Sequence, residues 1–277
     1  MHTRCPHCDD AIEIVDDSQL TQIECVTCGS HFSLVDQETM DIDLTRPRTI
    51  AHFELLEQLG QGNFGTVWKA RDVQLDRTVA VKIPRKGELS SGETEKFLRE
   101  ARAAAQLQHP NIVGVHEVGR DDSMVFIVSD FIQGVTLSDW LSAKPLGPRE
   151  AVELCATLAD ALHHAHQAGV IHRDIKPNNV MLTSDGQPHL MDFGLAKRVV
   201  GEAAMTMDGN ILGTPTYMPP EQAQGKGHLA DHRADIYSLG VILFELLTGE
   251  LPFRGNTRML ILQIIEDEPP SPRKLNS

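Results

Sequence analysis

Few chain paths satisfy the stretch from Ile171 to Gly194, which reads I-H-R-D-I-K-P-N-N-V-M-L-T-S-D-G-Q-P-H-L-M-D-F-G. Val180-Met181-Leu182 is apolar and extended, Ser184-Asp185-Gly186 is turn chemistry, and His189-Leu190-Met191 returns, so the spacing predicts a β-hairpin. A hairpin that short brings Asp192 back beside Asn179. Their carboxylate and amide oxygens then face one small volume. That suits Mg²⁺, a hard cation that takes few carboxylates together with phosphate oxygens. Asp174 is a candidate base, and Lys176, two residues on, can direct its charge to the same place. Metal, base and cation around a phosphate make a phosphoryl-transfer site, in which positioning and electrostatics carry the catalysis.

H-R-D-x-K-x-x-N followed by D-F-G resembles the catalytic and metal-binding loops of protein kinases, and Lys176 is the residue type of serine/threonine-specific members. The resemblance covers about residues 51–268. It implies an α+β, two-lobed kinase fold with a β-rich N-lobe and a helical C-lobe lacking its last helices. It also implies an ATP-dependent enzyme that phosphorylates serine and threonine hydroxyls of proteins. Asp174 and Lys176 would be catalytic, Asn179 and Asp192 would hold Mg²⁺, and Mn²⁺ could stand in for it.

Upstream, Phe53 to Leu59 reads as a strand running into Gly60-Gln61-Gly62-Asn63-Phe64-Gly65. G-x-G-x-x-G also fits a dinucleotide-binding loop, but that loop opens a helix. Here Thr66-Val67-Trp68-Lys69-Ala70 is β-type, which puts Gly60, Gly62 and Gly65 at a hairpin tip where the backbone can approach phosphates. Thr78 to Ile83 is the next strand. Its V-A-V-K resembles the kinase strand whose lysine, here Lys82, holds the α- and β-phosphates, with Val67 and Ala80 lining the adenine. The following helix, expected from Glu93 to Leu107, has a buried face of Phe97, Ala101, Ala104 and Ala105 at helical spacing. Glu100 borders that face and is the expected partner of Lys82; Glu95 is the competing candidate. Met124 to Ser129 reads as a buried strand. By resemblance the hinge follows it, with backbone near Asp130 and Ile132 meeting the adenine edge and Ser129 guarding the rear of the pocket.

In the C-lobe, Pro148 to Ala168 is helical, with Leu154, Leu158, Leu162 and Ala165 inward and Cys155 a core thiol. His163, His164 and His166 are expected as surface imidazoles. Asp235 to Thr248 is apolar nearly all round, hence buried. Asp235 resembles the residue that hydrogen-bonds the catalytic loop; an ordinary N-cap is the alternative. The long stretch ending in G-T-P-T-Y-M-P-P-E resembles an activation segment, with Pro219 where alanine is usual. Thr206 is the expected phosphosite, with autophosphorylation as regulator and Arg173 as partner of the phosphate; Thr214 has a structural role. The arginine that would pair with Glu221 has no counterpart here, so a second copy or a further C-terminal region would cover the open lobe base.

Four of five cysteines form C-x-x-C pairs, Cys5/Cys8 and Cys25/Cys28, sixteen residues apart. That spacing reads as a tetrahedral Zn²⁺ site in a structural zinc ribbon over residues 1–40. Residues 41–50 read as a linker, with a boundary near 48, and 51–277 as the kinase domain. A net charge of −14 leaves no surplus of cations for nucleic acid or anionic membrane. No secretory signal or membrane-spanning run is apparent, and a cytoplasmic location is expected. A catalytically idle pseudokinase scaffold, recruiting a partner through the ribbon, is the competing function. A kinase-fold enzyme for a small molecule is the third, against which the G-T-P-T-Y-M-P-P-E segment argues.

Overall fold

The computed structural model describes residues 2–4, 11–13, 23–24, 31–32, 48–62, 65–84, 91–121, 124–193 and 215–275. Contacts divide the chain into two units, Met1–Pro47 and Arg48–Ser277. In the first, β1 (His2–Arg4) pairs antiparallel with β2 (Ala11–Glu13), and β3 (Ile23–Glu24) with β4 (His31–Phe32). The sequence between β1 and β2 carries Cys5 and Cys8, and that between β3 and β4 carries Cys25 and Cys28; all four cysteines lie outside the described residues.

The second unit opens with an antiparallel sheet of β5 (Arg48–Ile50), β6 (Phe53–Gly62), β7 (Gly65–Asp72), β8 (Arg77–Ile83), β9 (Val115–Asp121) and β10 (Met124–Asp130), in the order β5-β6-β7-β8-β10-β9. The sheet curls until its two edges meet, where Ala51 N–H, just past β5, donates to Asp121 Oδ2 at the end of β9 at 2.7 Å. Side chains alternate along each strand. Ala70, Val79, Val81, Phe126 and Val128 fill the interior with Ile50 and Phe53. The register pairs Val67 with Lys82, Lys82 with Ile127 and Ala80 with Ser129, so these five side chains share the opposite face. One helix, α1 (Ser91–Ala104), packs there through fully buried Ala101 on Val125 and Ile127. It starts and stops earlier than the expected Glu93–Leu107.

The lower half is built on α2 (Leu137–Ala143), α3 (Pro148–Gln167), α4 (Pro220–Ala223), α5 (Arg233–Thr248) and α6 (Thr257–Glu266), with a small sheet of β11 (Gly134–Thr136), β12 (Val180–Thr183) and β13 (Pro188–Leu190). Leu154, Leu158, Leu162 and Ala165 of α3 meet Ile242 and Leu246 of α5 in the core. Cys155 lies in the same cluster, and burial pushes its thiol up to about 11, which keeps it a protonated packing group. Gly249 ends α5 in a left-handed turn at φ 70. Two expectations are corrected. His166 is no surface imidazole: its side chain is 13% exposed and its Nε2 lies 2.7 Å from Asp235 Oδ2. Its neighbour His164 is half-buried against His109, with ring centroids 5.3 Å apart. And Asp235 is not a helix cap, since α5 begins at Arg233 with Asp235 inside its first turn.

Candidate active site

The hairpin of β12 and β13 pairs Val180 with Leu190 and Leu182 with Pro188. Met191 N–H donates to Asn179 O at 3.1 Å, which sets Asp192 beside Asn179. Asn179, 6% exposed, donates its amide N–H groups to Asp174 O at 2.7 Å and to Asp174 Oδ2 at 3.0 Å. Its amide oxygen is thereby turned toward the other side. Lys176 Nζ lies 2.7 Å from the same Asp174 Oδ2. Asp174, Lys176 and Asn179 therefore meet at the Asp174 carboxylate, with Asp192 one residue beyond the Met191–Asn179 main-chain bond.

Lys82 enters this group from the sheet, with its Nζ 2.7 Å from Asp192 Oδ1. The ion pair spans 110 residues and ties the upper sheet to the hairpin. Both partners are partly shielded, which strengthens the attraction over that of a surface pair. Glu100 sits half-buried on α1, next to the Ala101 that seats the helix.

Above Lys82, the β6–β7 hairpin pairs Gly60 with Val67 and Gly62 with Gly65. Two of its glycines differ in why they are glycine. At Gly65, φ is 131 and a Cβ would lie 2.1 Å from Ile83 O, so the fold itself excludes a side chain. At Gly60 a Cβ would meet nothing within 4 Å among the described residues, so their packing does not exclude a side chain there. Asn63 and Phe64 lie outside the described residues. At the far end of β10, Asp130 N–H donates to Gly114 O at 2.9 Å, and Phe131 to Gln133 then leave the sheet. Ile132 is in this segment, between the two halves.

The catalytic-loop candidates rest on a support that the sequence only partly announces. Asp235, fully buried, accepts from His172 N–H at 2.8 Å, Arg173 N–H at 2.7 Å and the His166 ring at 2.7 Å. Burial alone would raise its carboxyl, but these hydrogen bonds hold it below the usual carboxylate range. His172 is fully buried, its Nε2 donates to Met191 O at 2.9 Å, and its ring packs on Phe193 with centroids 4.6 Å apart and planes tilted by 47°. Desolvation lowers its pKa against the opposing pull of Asp235, Asp174 and Asp192, so the imidazole is neutral. Arg173 and Asp192 both adopt φ 64, a conformation uncommon outside glycine. Such strain persists where the surroundings hold it, and it concentrates at functional sites.

Beyond the loop, Tyr217 OH donates to Glu245 Oε2 on α5 at 2.6 Å, and Ser238 Oγ donates to Tyr217 O at 2.7 Å. Burial first, then this contact with the Glu245 carboxylate, raises the Tyr217 phenol. Gln222 Nε2 donates to Arg173 O at 3.2 Å, joining α4 to the catalytic loop. Nothing local in the sequence marks the Tyr217–Glu245 or His166–Asp235 pairs. Gly194 and the expected Thr206 and Thr214 lie outside the described residues.

Comparison with known proteins adds the following. The family model described as protein kinase domain matches residues 53–275. The chain is 38% identical over 232 residues to the serine/threonine-protein kinase PrkC of Bacillus subtilis, covering 83% of this chain and 35% of that protein. It is 38% identical over 236 residues to the serine/threonine-protein kinase PknB of Mycobacterium leprae, covering 82% and 38%. Thus it spans about a third of the length of these relatives. A crystal structure of the Mycobacterium tuberculosis PknI kinase domain superposes with a TM-score of 0.61 at 29% identity, covering 75% of this chain and 78% of that one.

Proposed function

The chain belongs to the protein kinase domain family, and on that premise we propose that it is an ATP-dependent serine/threonine protein kinase. The observation that carries the reading is the Lys82–Asp192 contact, which ties the glycine-tipped sheet to the hairpin that follows Asn179. ATP would lie beneath the β6–β7 tip, its adenine against Val67 and Ala80 and its edge against main-chain groups at Asp130 and Ile132. Gly60, Gly62 and Gly65 let the backbone close on the phosphates. Lys82, steadied by Glu100, orients the α- and β-phosphates. Asn179 and Asp192 have the donor chemistry for Mg²⁺, which when bound would neutralise charge on the transferring phosphates.

Asp174 orients the substrate hydroxyl and accepts its proton as the hydroxyl oxygen attacks the γ-phosphorus, whose bond to the bridging oxygen of the β-phosphate breaks to release ADP. Lys176, bonded to the same carboxylate, brings a positive charge to where the transferred group gains negative charge. Phosphorylation of the segment holding Thr206, ordered by Arg173, is the proposed regulation. The protein substrates, the use of Mn²⁺ in place of Mg²⁺ and a cytoplasmic site of action belong to the same reading. For the N-terminal unit, the C-x-x-C pairs alone support a structural Zn²⁺ on Cys5, Cys8, Cys25 and Cys28. Metal analysis of purified protein should return one zinc per chain, lost when Cys25 and Cys28 become serine.

Radiolabelled phosphate should pass from ATP to the chain itself or to a generic protein acceptor, and Asp174→Asn should abolish the transfer. Nucleotide binding by the unmodified protein without any transfer would select the scaffold reading instead.

A further inference from the structure

We infer that the side chain of Asp130 is a positioning residue for adenine, holding the hinge main chain in the orientation that nucleotide binding needs. The inference rests on the kinase reading and deepens it, since that reading gave Asp130 only a main-chain role. Asp130 and Gly114 form a closed two-bond ring. Asp130 N–H donates to Gly114 O at 2.9 Å, and Gly114 N–H donates back to Asp130 Oδ2 at 3.0 Å. The other carboxylate oxygen lies 2.8 Å from His116 Nε2.

That histidine is aimed by a β-bulge. The β9–β10 register steps from Val128 opposite Glu117 to Ser129 opposite Val115, which leaves His116 as the extra residue. A bulge redirects a side chain out of the strand's alternation, and bulges are frequent beside active sites. Gly114 has its own reason to lack a side chain: a Cβ there would lie 2.7 Å from Asp130 Oδ2.

The same short segment holds the lower half. Val113 N–H donates to Leu190 O at 2.8 Å, Leu190 N–H to Asn111 O at 2.8 Å, and Asn111 Nδ2 to Pro188 O at 2.8 Å. Residues 111–116 thus splint the hinge to β13, the strand that leads to Asp192. Phe131 to Gln133 have left the sheet. The direction of their main-chain groups is accordingly set by what grips Asp130. The Asp130 side chain is 47% exposed, so its contribution is the geometry of these bonds rather than buried charge.

The test uses the full chain and reads nucleotide binding with a fluorescent ADP analogue, KM for ATP and kcat for phosphate transfer, and thermal unfolding without nucleotide. Asp130→Ala should raise the ADP Kd and the ATP KM about 10-fold, since it removes the charge-assisted hydrogen bond from Gly114 N–H together with the exposed His116 contact, which adds little, with the loss falling on KM rather than kcat. Asp130→Asn keeps an acceptor toward Gly114 N–H and should stay within about 3-fold of the unmodified protein. Gly114→Ala should reproduce Asp130→Ala, and the two together should cost no more than either alone, because both break the same bond. The inference is overturned if Asp130→Ala lowers the unfolding temperature while Kd and KM stay put, if asparagine is as damaging as alanine, or if the two changes add. Failure of the unmodified chain to bind adenine nucleotide is a different result, and it overturns the kinase reading itself.

Discussion

Replacing Asp235 by alanine should both destabilise the protein and disable the site, although residue 235 touches no substrate in the proposed reaction. The substitution deletes the acceptor of two main-chain donors, His172 N–H and Arg173 N–H, and of the His166 ring, at a position that is 0% exposed. Each buried N–H left without an acceptor costs about 1–3 kcal/mol, so the two main-chain groups cost about 2–6 kcal/mol together. Arg173 offsets part of this. Its φ of 64 is held in place by the same carboxylate, and a non-glycine residue in such a region stores about 1–3 kcal/mol. Freed from Asp235, the loop relaxes toward an ordinary conformation and carries Asp174 with it. For a domain of this size about 1 kcal/mol moves the midpoint by about 2–4 °C, so a net loss of about 1–4 kcal/mol lowers it by about 2–16 °C. Asp235→Asn keeps one acceptor oxygen but turns an N–H toward another donor, and should lose roughly half as much. Thermal unfolding followed by circular dichroism measures the stability, and phosphate transfer below the new midpoint measures the site. An Asp235→Ala protein that unfolds within about 2 °C of the unmodified one would refute the account of how this loop is held.

The glycines of the β6–β7 hairpin should separate by role: Gly65→Ala should cost about 1–3 kcal/mol of stability, whereas Gly60→Ala should unfold normally yet bind ATP more weakly, as calorimetry and nucleotide titration would show. Because His172 is neutral when folded, with its pKa below the unfolded value of about 6.5, the unfolded chain takes up a proton that the native state refuses. Its stability contribution is present above that pH and is lost as pH falls through the window below it. Urea unfolding from about pH 7.5 down to 5 should show this slope, and His172→Gln should flatten it; an unchanged slope rules the histidine out. The lowered Asp235 carboxyl adds its own loss only below about pH 4. Tyr217→Phe removes the hydroxyl 2.6 Å from half-buried Glu245 and should cost about 1–3 kcal/mol in urea unfolding; no measurable loss would mean the pair does not anchor the segment after residue 214.

Much of the lower site was open to sequence reasoning because its geometry is local. Asn179 and Asp192 are joined by one hairpin whose apolar runs and turn residues are explicit, and Asp174, Lys176 and Asn179 are close in the chain by necessity. The period of two in Thr78 to Ile83 likewise separates buried Val79 and Val81 from Ala80 and Lys82 on the other face. Helical periodicity located α3 and α5, but not the ends of α1.

What sequence could not decide is which distant groups close on these local pieces. Lys82 meets Asp192 across 110 residues, and His166 meets Asp235 across 69. Three neighbouring histidines on one helix look alike in composition, and only the packing of α3 on α5 buries one of them against a carboxylate. His116 points at Asp130 because of an extra residue in the β9–β10 register, a one-residue slip that no hydrophobic pattern records. Local chemistry determined the class of reaction that could be proposed, since those residue types at those intervals suit phosphoryl transfer. Tertiary packing decided the supports, because hydrogen bonds between segments far apart in the chain exist only once the core has fixed their distance.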